Sequence, residues 1–179
     1  STWARGQAWA IAGFARGYAL TGDDRLLEAA RRVAAYWTAH VPAGCVPAWD
    51  LDVSRDSAPR DSSAAAIAAY GLLTLAAAEP DSERAAADRD HAVQTLGTLV
   101  AAPWLPAADA SGVRGVLQGQ TYNVPADRRE GTYAWGDAYL LAALALLDVS
   151  LRGQDQNGGR SSGGCGRGGG GTRSGGSCW

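Results

Sequence analysis

The chain has 179 residues, 46% of them hydrophobic, which is enough for one domain with a packed core. Its formal net charge of −2 excludes the strongly basic surface that nucleic acid or an anionic membrane would select. All 16 cationic side chains are arginine and methionine is absent, so no native start is visible and the chain is treated as a candidate fragment.

Cys45 stands alone in the folded-looking part, and Cys165 and Cys178 lie in a Gly-rich stretch. Their spacing suggests neither a zinc site nor a disulfide framework. His40 and His91 lack ligand-like neighbours and read as surface or capping residues, so no metal is expected. No apolar run reaches the ~18 residues of a membrane span. A cytoplasmic location is favoured, with a leader upstream of Ser1 left open. Oligomeric state is unassigned.

Hydrophobic periodicity predicts five helices. The first runs from Trp3 to Leu20 and stops at Thr21-Gly22-Asp23-Asp24. The second covers Asp24 to His40, with Leu27, Ala30, Val33, Ala34 and Trp37 on one face, and ends before Pro42. A polar connection rich in proline follows, from Val41 to Arg60. Asp61-Ser62-Ser63 offers cap chemistry to a third helix reaching Glu79. The fourth helix spans Ser82 to Ala102. A second long connection contains "GVRGVLQGQTYNV", at most a short hairpin. The fifth helix, "DAYLLAALALLDVSL", closes the ordered part near Leu151. Tight turns alternate with long loops, the rhythm of successive helical hairpins with a site where the loops gather.

From Arg152 to Trp179 the composition becomes Gly, Ser and Arg. Such a segment buries too little to offset its ordering entropy. It reads either as a disordered tail or as sequence that is not native coding. Its abrupt start after a helix favours the second. The expected domains are therefore 1–151 and the tail 152–179.

Three clusters stand out. In "STWARGQAW", Arg5 and Trp9 share a helix face and Trp3 precedes them by less than a turn. A guanidinium among indoles suits a sugar acid, because the fork grips a carboxylate while rings stack on the sugar. A helix end with buried tryptophans and a salt-bridged arginine explains the trio equally well. In "WDLD" and "RDSSA", Asp50 and Asp52 read as loop anchors pairing with arginines, and Asp61 as a helix cap, ahead of an acid–base pair. In "YAWGDAY", Gly136 permits tight entry to the fifth helix, Asp137 reads as its cap, and Trp135 and Tyr139 face the loop end.

Taken in order, "STWARGQAW", "VPAWDLD", "RDSSAAAIAAYGLL" and "EG…AWGDAYLLAAL" resemble the unsaturated glucuronyl hydrolases, glycoside hydrolase family 88, from Ser1 to Leu151. The match departs at Ala138, where the family has tyrosine in "WGDYY", and at Ala142, where an acidic residue is common. The resemblance implies an (α/α)6 toroid of helical hairpins, present here as about its C-terminal half. It implies removal of a 4,5-unsaturated uronic acid from the non-reducing end of lyase-generated oligosaccharides. An aspartate protonates C4 of the vinyl ether, water adds at C5, and the hemiketal rearranges to release the aglycone. Neither metal nor organic cofactor takes part.

The resemblance makes Trp3, Arg5, Trp9 and Tyr139 the substrate-binding residues. Gln7, Asp50, Asp61 and Asp137 become structural residues near the site. The family's catalytic aspartate pair falls upstream of Ser1, so the chain alone is expected to be inactive and marginally folded. Two alternatives remain: a non-catalytic sugar-binding or relic module, and a family 105 unsaturated rhamnogalacturonyl hydrolase, whose "RGNGW"-like motif differs from "RGQAW" here.

Overall fold

The computed structural model describes residues 1–53, 58–106, 115–126 and 131–158, with side chains as far as Arg152. Among these residues there are five helices: α1 (Ala4–Thr21), α2 (Asp24–His40), α3 (Ser62–Ala78), α4 (Ser82–Leu99) and α5 (Ala134–Gly158). Isolated bridges pair Trp3 with Asp50, Ala48 with Arg60 and Gln120 with Gly131, and among the described residues no strand longer than these forms.

Local chemistry sets most boundaries. Gly22 closes α1 in the left-handed conformation, at a φ of 67°, and returns its N–H to the Tyr18 carbonyl. Asp23, Asp61 and Asp81 cap α2, α3 and α4 by accepting first-turn backbone N–H groups. The fifth helix differs from expectation at both ends. It starts at Ala134, so Asp137 lies inside its first turn and does not cap it. Its backbone continues past Leu151 to Gly158, while residues 159–179 lie outside the described part.

α3 is the centre of the fold. It packs against α1, α4 and α5, and α2 packs on α1. Burial nearly all round explains its composition, since Ala64, Ala65, Ala66, Ala68 and Ala69 let neighbours approach. The α1 backbone lies directly against Gly71, where a Cβ would sit 2.8 Å from the Ala12 nitrogen and 2.9 Å from Ile11 Cγ2. Ile11, Trp37, Ile67, Leu72, Leu75, Leu96, Leu99 and Leu140 complete the core. Arg31 of α2 donates through Nε and Nη2 to the buried Glu79 carboxylate, tying α2 to the end of α3. Hydrogen bonding to Arg31 holds Glu79 below the usual carboxylate range.

Three sequence expectations change here. His91 is buried, and its burial depresses the imidazole pKa. His40 does sit at a helix end, stacked on Tyr36. Cys45 is disulfide-bonded, although the spacing of the cysteines pointed to no bridge. Over Ala134–Arg152, α5 is long and apolar enough to cross a membrane by length and composition, with a mean hydropathy of 1.4. Interruption by Gly136, Asp137 and Asp148 hid that run in the sequence; in the fold, Leu140 and Ala143 of the same helix are core residues.

Two stability predictions follow from this packing. Gly71→Ala inserts a methyl against the α1 backbone and should destabilise by about 2–3 kcal/mol in a urea melt. Asp88 is raised to about 6, first by desolvation and then by Glu79, with Arg84 opposing. A carboxyl raised in the folded state favours folding below its unfolded pKa, and that contribution is lost as pH rises through the folded value. Asp88→Asn should therefore raise stability at pH 7 by about 1 kcal/mol, after allowing for solvent screening, and flatten the fall between pH 4 and 6.

Candidate functional site

The starts of α1, α3 and α5 meet at one end, under the segments that precede them. α1 is fixed there by backbone bonds from Ala4 N to the Trp49 carbonyl and from Leu51 N to the Thr2 carbonyl, both 2.9 Å. Asp50 holds the same corner by accepting from Thr2 N and Asp52 N, each at 2.9 Å, and from the Ser1 hydroxyl. Asp52 accepts from the Thr2 hydroxyl. Both aspartates thus anchor the loop, as expected, but their partners are residues at the chain start. Arg60, the nearby candidate, donates to the Val46 carbonyl.

At the centre lies Arg5, only 3% exposed. Its Nη1 donates to the Thr121 carbonyl at 2.7 Å and to Ser63 Oγ at 3.1 Å, and its Nη2 donates to the Tyr122 carbonyl at 2.8 Å. Asp61 Oδ2 stands 3.4 Å from Nη1. Asp61 Oδ1 accepts from the Ser63 hydroxyl at 2.5 Å and from the amides of Ser63 and Thr121. Desolvation raises the Asp61 carboxyl above its usual value, against the pull of Arg5 and the Ser63 hydrogen bond. Ser63 Oγ also accepts from Trp135 Nε1 at 3.3 Å. One buried cluster therefore joins α1, α3, the start of α5 and the segment around Thr121.

The indoles gather over this cation. The Arg5 guanidinium carbon lies 5.0 Å from the Trp3 ring centroid, 5.2 Å from Trp135 and 5.9 Å from Trp9. Trp3 and Trp9 meet edge to face at 5.7 Å, and each keeps 41% exposure. They open onto a cavity of about 420 Å³, closed on its other sides by Trp49, Trp135 and the segment from Thr121 to Pro125. Tyr133 stacks on the back of Trp135, 4.5 Å away and nearly parallel.

The "WGD" triplet divides its work. Trp135 reaches the cavity. Gly136 leaves room for the buried Gln120, whose Oε1 would lie 2.3 Å from an added Cβ. Asp137 accepts from Val116 N at 3.0 Å and Leu117 N at 2.8 Å, holding the approach to the site segment.

Of the residues singled out from sequence, Trp3, Arg5 and Trp9 come together in this cavity. Tyr139 lies in the adjoining hollow with Tyr70 and Arg16, which shares Trp9 as its wall. Gln7 faces α2 in a separate hollow with Phe14 and Tyr36, and so does not shape the cavity. Asp50, Asp61 and Asp137 surround the cavity as supports, and none of them lines it. Thr121, Tyr122 and Asn123 were not singled out; their only sequence signal was a position within a long non-periodic connection. Among the described residues no cluster of His, Cys, Asp and Glu has the makings of a metal site.

Asp61→Ala should cost about 3–5 kcal/mol in denaturant, because it strips a cap and strands the Arg5 cation in the interior. Ser63→Ala, which leaves the ion pair in place, should cost about 1 kcal/mol in the same measurement.

No family model matches the chain. It is 37% identical over 164 residues to the unsaturated glucuronyl hydrolase of Bacillus sp. strain GL1, covering 89% of this chain and 43% of that protein. The crystal structure of that enzyme, described as responsible for the degradation of glycosaminoglycan, superposes with a TM-score of 0.74 at 39% identity, over 82% of this chain and 39% of the other. An unsaturated glucuronyl hydrolase specific for heparin superposes with a TM-score of 0.78 at 31% identity, over 84% and 40% of the two chains. The unsaturated chondroitin disaccharide hydrolase of Streptococcus pyogenes is 30% identical, over 80% of this chain and 36% of its own length. The chain thus spans about two fifths of the relatives it matches. Sequence and superposition agree on one conclusion: over about two fifths of their length, the chain is similar to the unsaturated glucuronyl hydrolases in sequence and in all-helical fold.

Proposed function

We propose that this chain forms the sugar-binding wall of a hydrolase that removes a 4,5-unsaturated uronic acid from lyase-generated, glycosaminoglycan-type oligosaccharides. The observation that carries this reading is the arginine beneath three indoles. A flattened, half-unsaturated ring presents faces for stacking, and its carboxylate seeks a guanidinium. Arg5 commits three of its five N–H donors to Ser63, Thr121 and Tyr122, which leaves two for a ligand in the cavity it borders. Its charge is fixed in orientation before any ligand arrives, so little reorganisation accompanies binding.

In this reading the chain binds and orients, and the protonation of C4 falls to an aspartate outside these 179 residues. Support comes from the local aspartates, each of which is already engaged: Asp50 with the chain start, Asp61 with Arg5 and the α3 amides, Asp137 with Val116 and Leu117. The same observation keeps a non-catalytic sugar-binding module as the second reading.

The test combines binding and turnover. Tryptophan fluorescence should report saturable binding of an unsaturated uronyl disaccharide to the chain, and Trp9→Ala should weaken it at least about tenfold, the scale of a stacked-ring contact. The ultraviolet absorbance of the substrate alkene should persist with the chain alone and disappear with a longer protein that includes it. Binding unaffected by Trp9→Ala, or turnover by the chain alone, would overturn the proposal. Persistence of the alkene with the longer protein would leave the binding-module reading. Preference for an unsaturated rhamnogalacturonyl disaccharide would point to family 105.

A further inference from the structure

A second hollow of about 540 Å³ lies toward the opposite ends of α1, α3 and α5, where α4 joins them. Arg16 of α1, Arg89 of α4, Tyr70 and Thr74 of α3 and Ser150 of α5 supply its polar lining, and among the described residues no acidic one lines it. The rest of its wall is largely alanine, from the end of α3 and the start of α4.

Most of the described arginines elsewhere sit in ion pairs, although Arg32 and Arg60 do not. Arg5 has Asp61, Arg31 has Glu79, Arg84 has Asp81 and Arg152 has Asp148. Arg89 and Arg16 have no ion pair among the described residues. Arg89 Nη2 is also buried without any hydrogen-bond partner. A charged donor shut away from water and left unmatched opposes folding, and such groups are rare unless something supplies the acceptor. The Thr74 hydroxyl is committed to the Tyr70 carbonyl at 2.8 Å, which leaves the two guanidinium forks and the hydroxyls of Tyr70 and Ser150 as donors. Two forks and two hydroxyls, with no competing carboxylate among the described residues, match an anion bearing several equivalent oxygens.

We propose that this hollow binds a small tetrahedral oxyanion, sulfate or phosphate, between Arg16 and Arg89. The site is separate from the tryptophan cavity and does not depend on the saccharide reading. Its chemistry is recognition alone, with no bond made or broken. The occupied site would bridge α1 and α4, two helices that α3 otherwise holds apart.

Isothermal titration of the 179-residue chain with sodium sulfate and sodium phosphate, at ionic strength held constant with sodium chloride, tests it. Saturable one-to-one binding is expected for at least one of the two anions. Arg89→Gln should weaken it at least about tenfold, and Arg16→Gln by a similar factor. Arg32→Gln, an arginine outside this hollow, should leave it unchanged. If Arg89→Gln loses the helical circular dichroism of the parent, Arg16→Gln decides alone, since Arg16 is exposed and its replacement leaves the core intact. No saturable heat above the chloride control overturns the proposal, and so does binding that both variants retain at the parent's strength.

Discussion

Burying Arg5 is the constraint on which the rest of this structure turns. A guanidinium taken out of water needs an anion and several acceptors, and no single helix supplies them. Here Asp61 at the head of α3 supplies the charge, and the carbonyls of Thr121 and Tyr122 supply acceptors from more than a hundred residues further along the chain. Satisfying one side chain thus draws three remote segments to one point. The walls of the tryptophan cavity follow, because Trp3, Trp9, Trp135 and Tyr122 are carried by those segments.

The neighbouring supports share a design. Polar groups are inserted where small residues leave space, and each then captures a stretch of backbone. Gly136 admits Gln120, and Asp137 beside it takes two amides of the approaching chain. Gly71 lets α3 lie directly against α1, so the spacing between the Arg5 and Asp61 helices is set by backbone contact. An irregular site segment acquires a defined position without forming a sheet.

Much of this was legible in the sequence. α2 and α3 announce their own starts, because Asp23 and Asp61 cap them by local chemistry, and α2 stops just before Pro42. The trio in "STWARGQAW" was visible because helical spacing alone puts Arg5 and Trp9 on one face. The start of α5 was not visible, since Asp137 has the look of a cap and its carboxylate is in fact used by Val116 and Leu117. Thr121 and Tyr122 were equally hidden: they have no period, and their placement comes from contacts far away in sequence. Nor can a sequence distinguish an arginine that grips a ligand from one that clamps a loop. In the fold Arg5 has clear clamping partners, with donors to spare.

The common orientation of α1, α3 and α5 adds a field of its own. All three begin at the cavity end, at Ala4, Ser62 and Ala134, so the positive ends of three peptide macrodipoles converge there. Asp61 at the α3 cap and Asp137 in the first turn of α5 offset part of that potential, whereas α1 has no acidic residue in its first turn. The bias toward negative charge is consequently built into the backbone. It does not titrate, and it survives the loss of any one side chain.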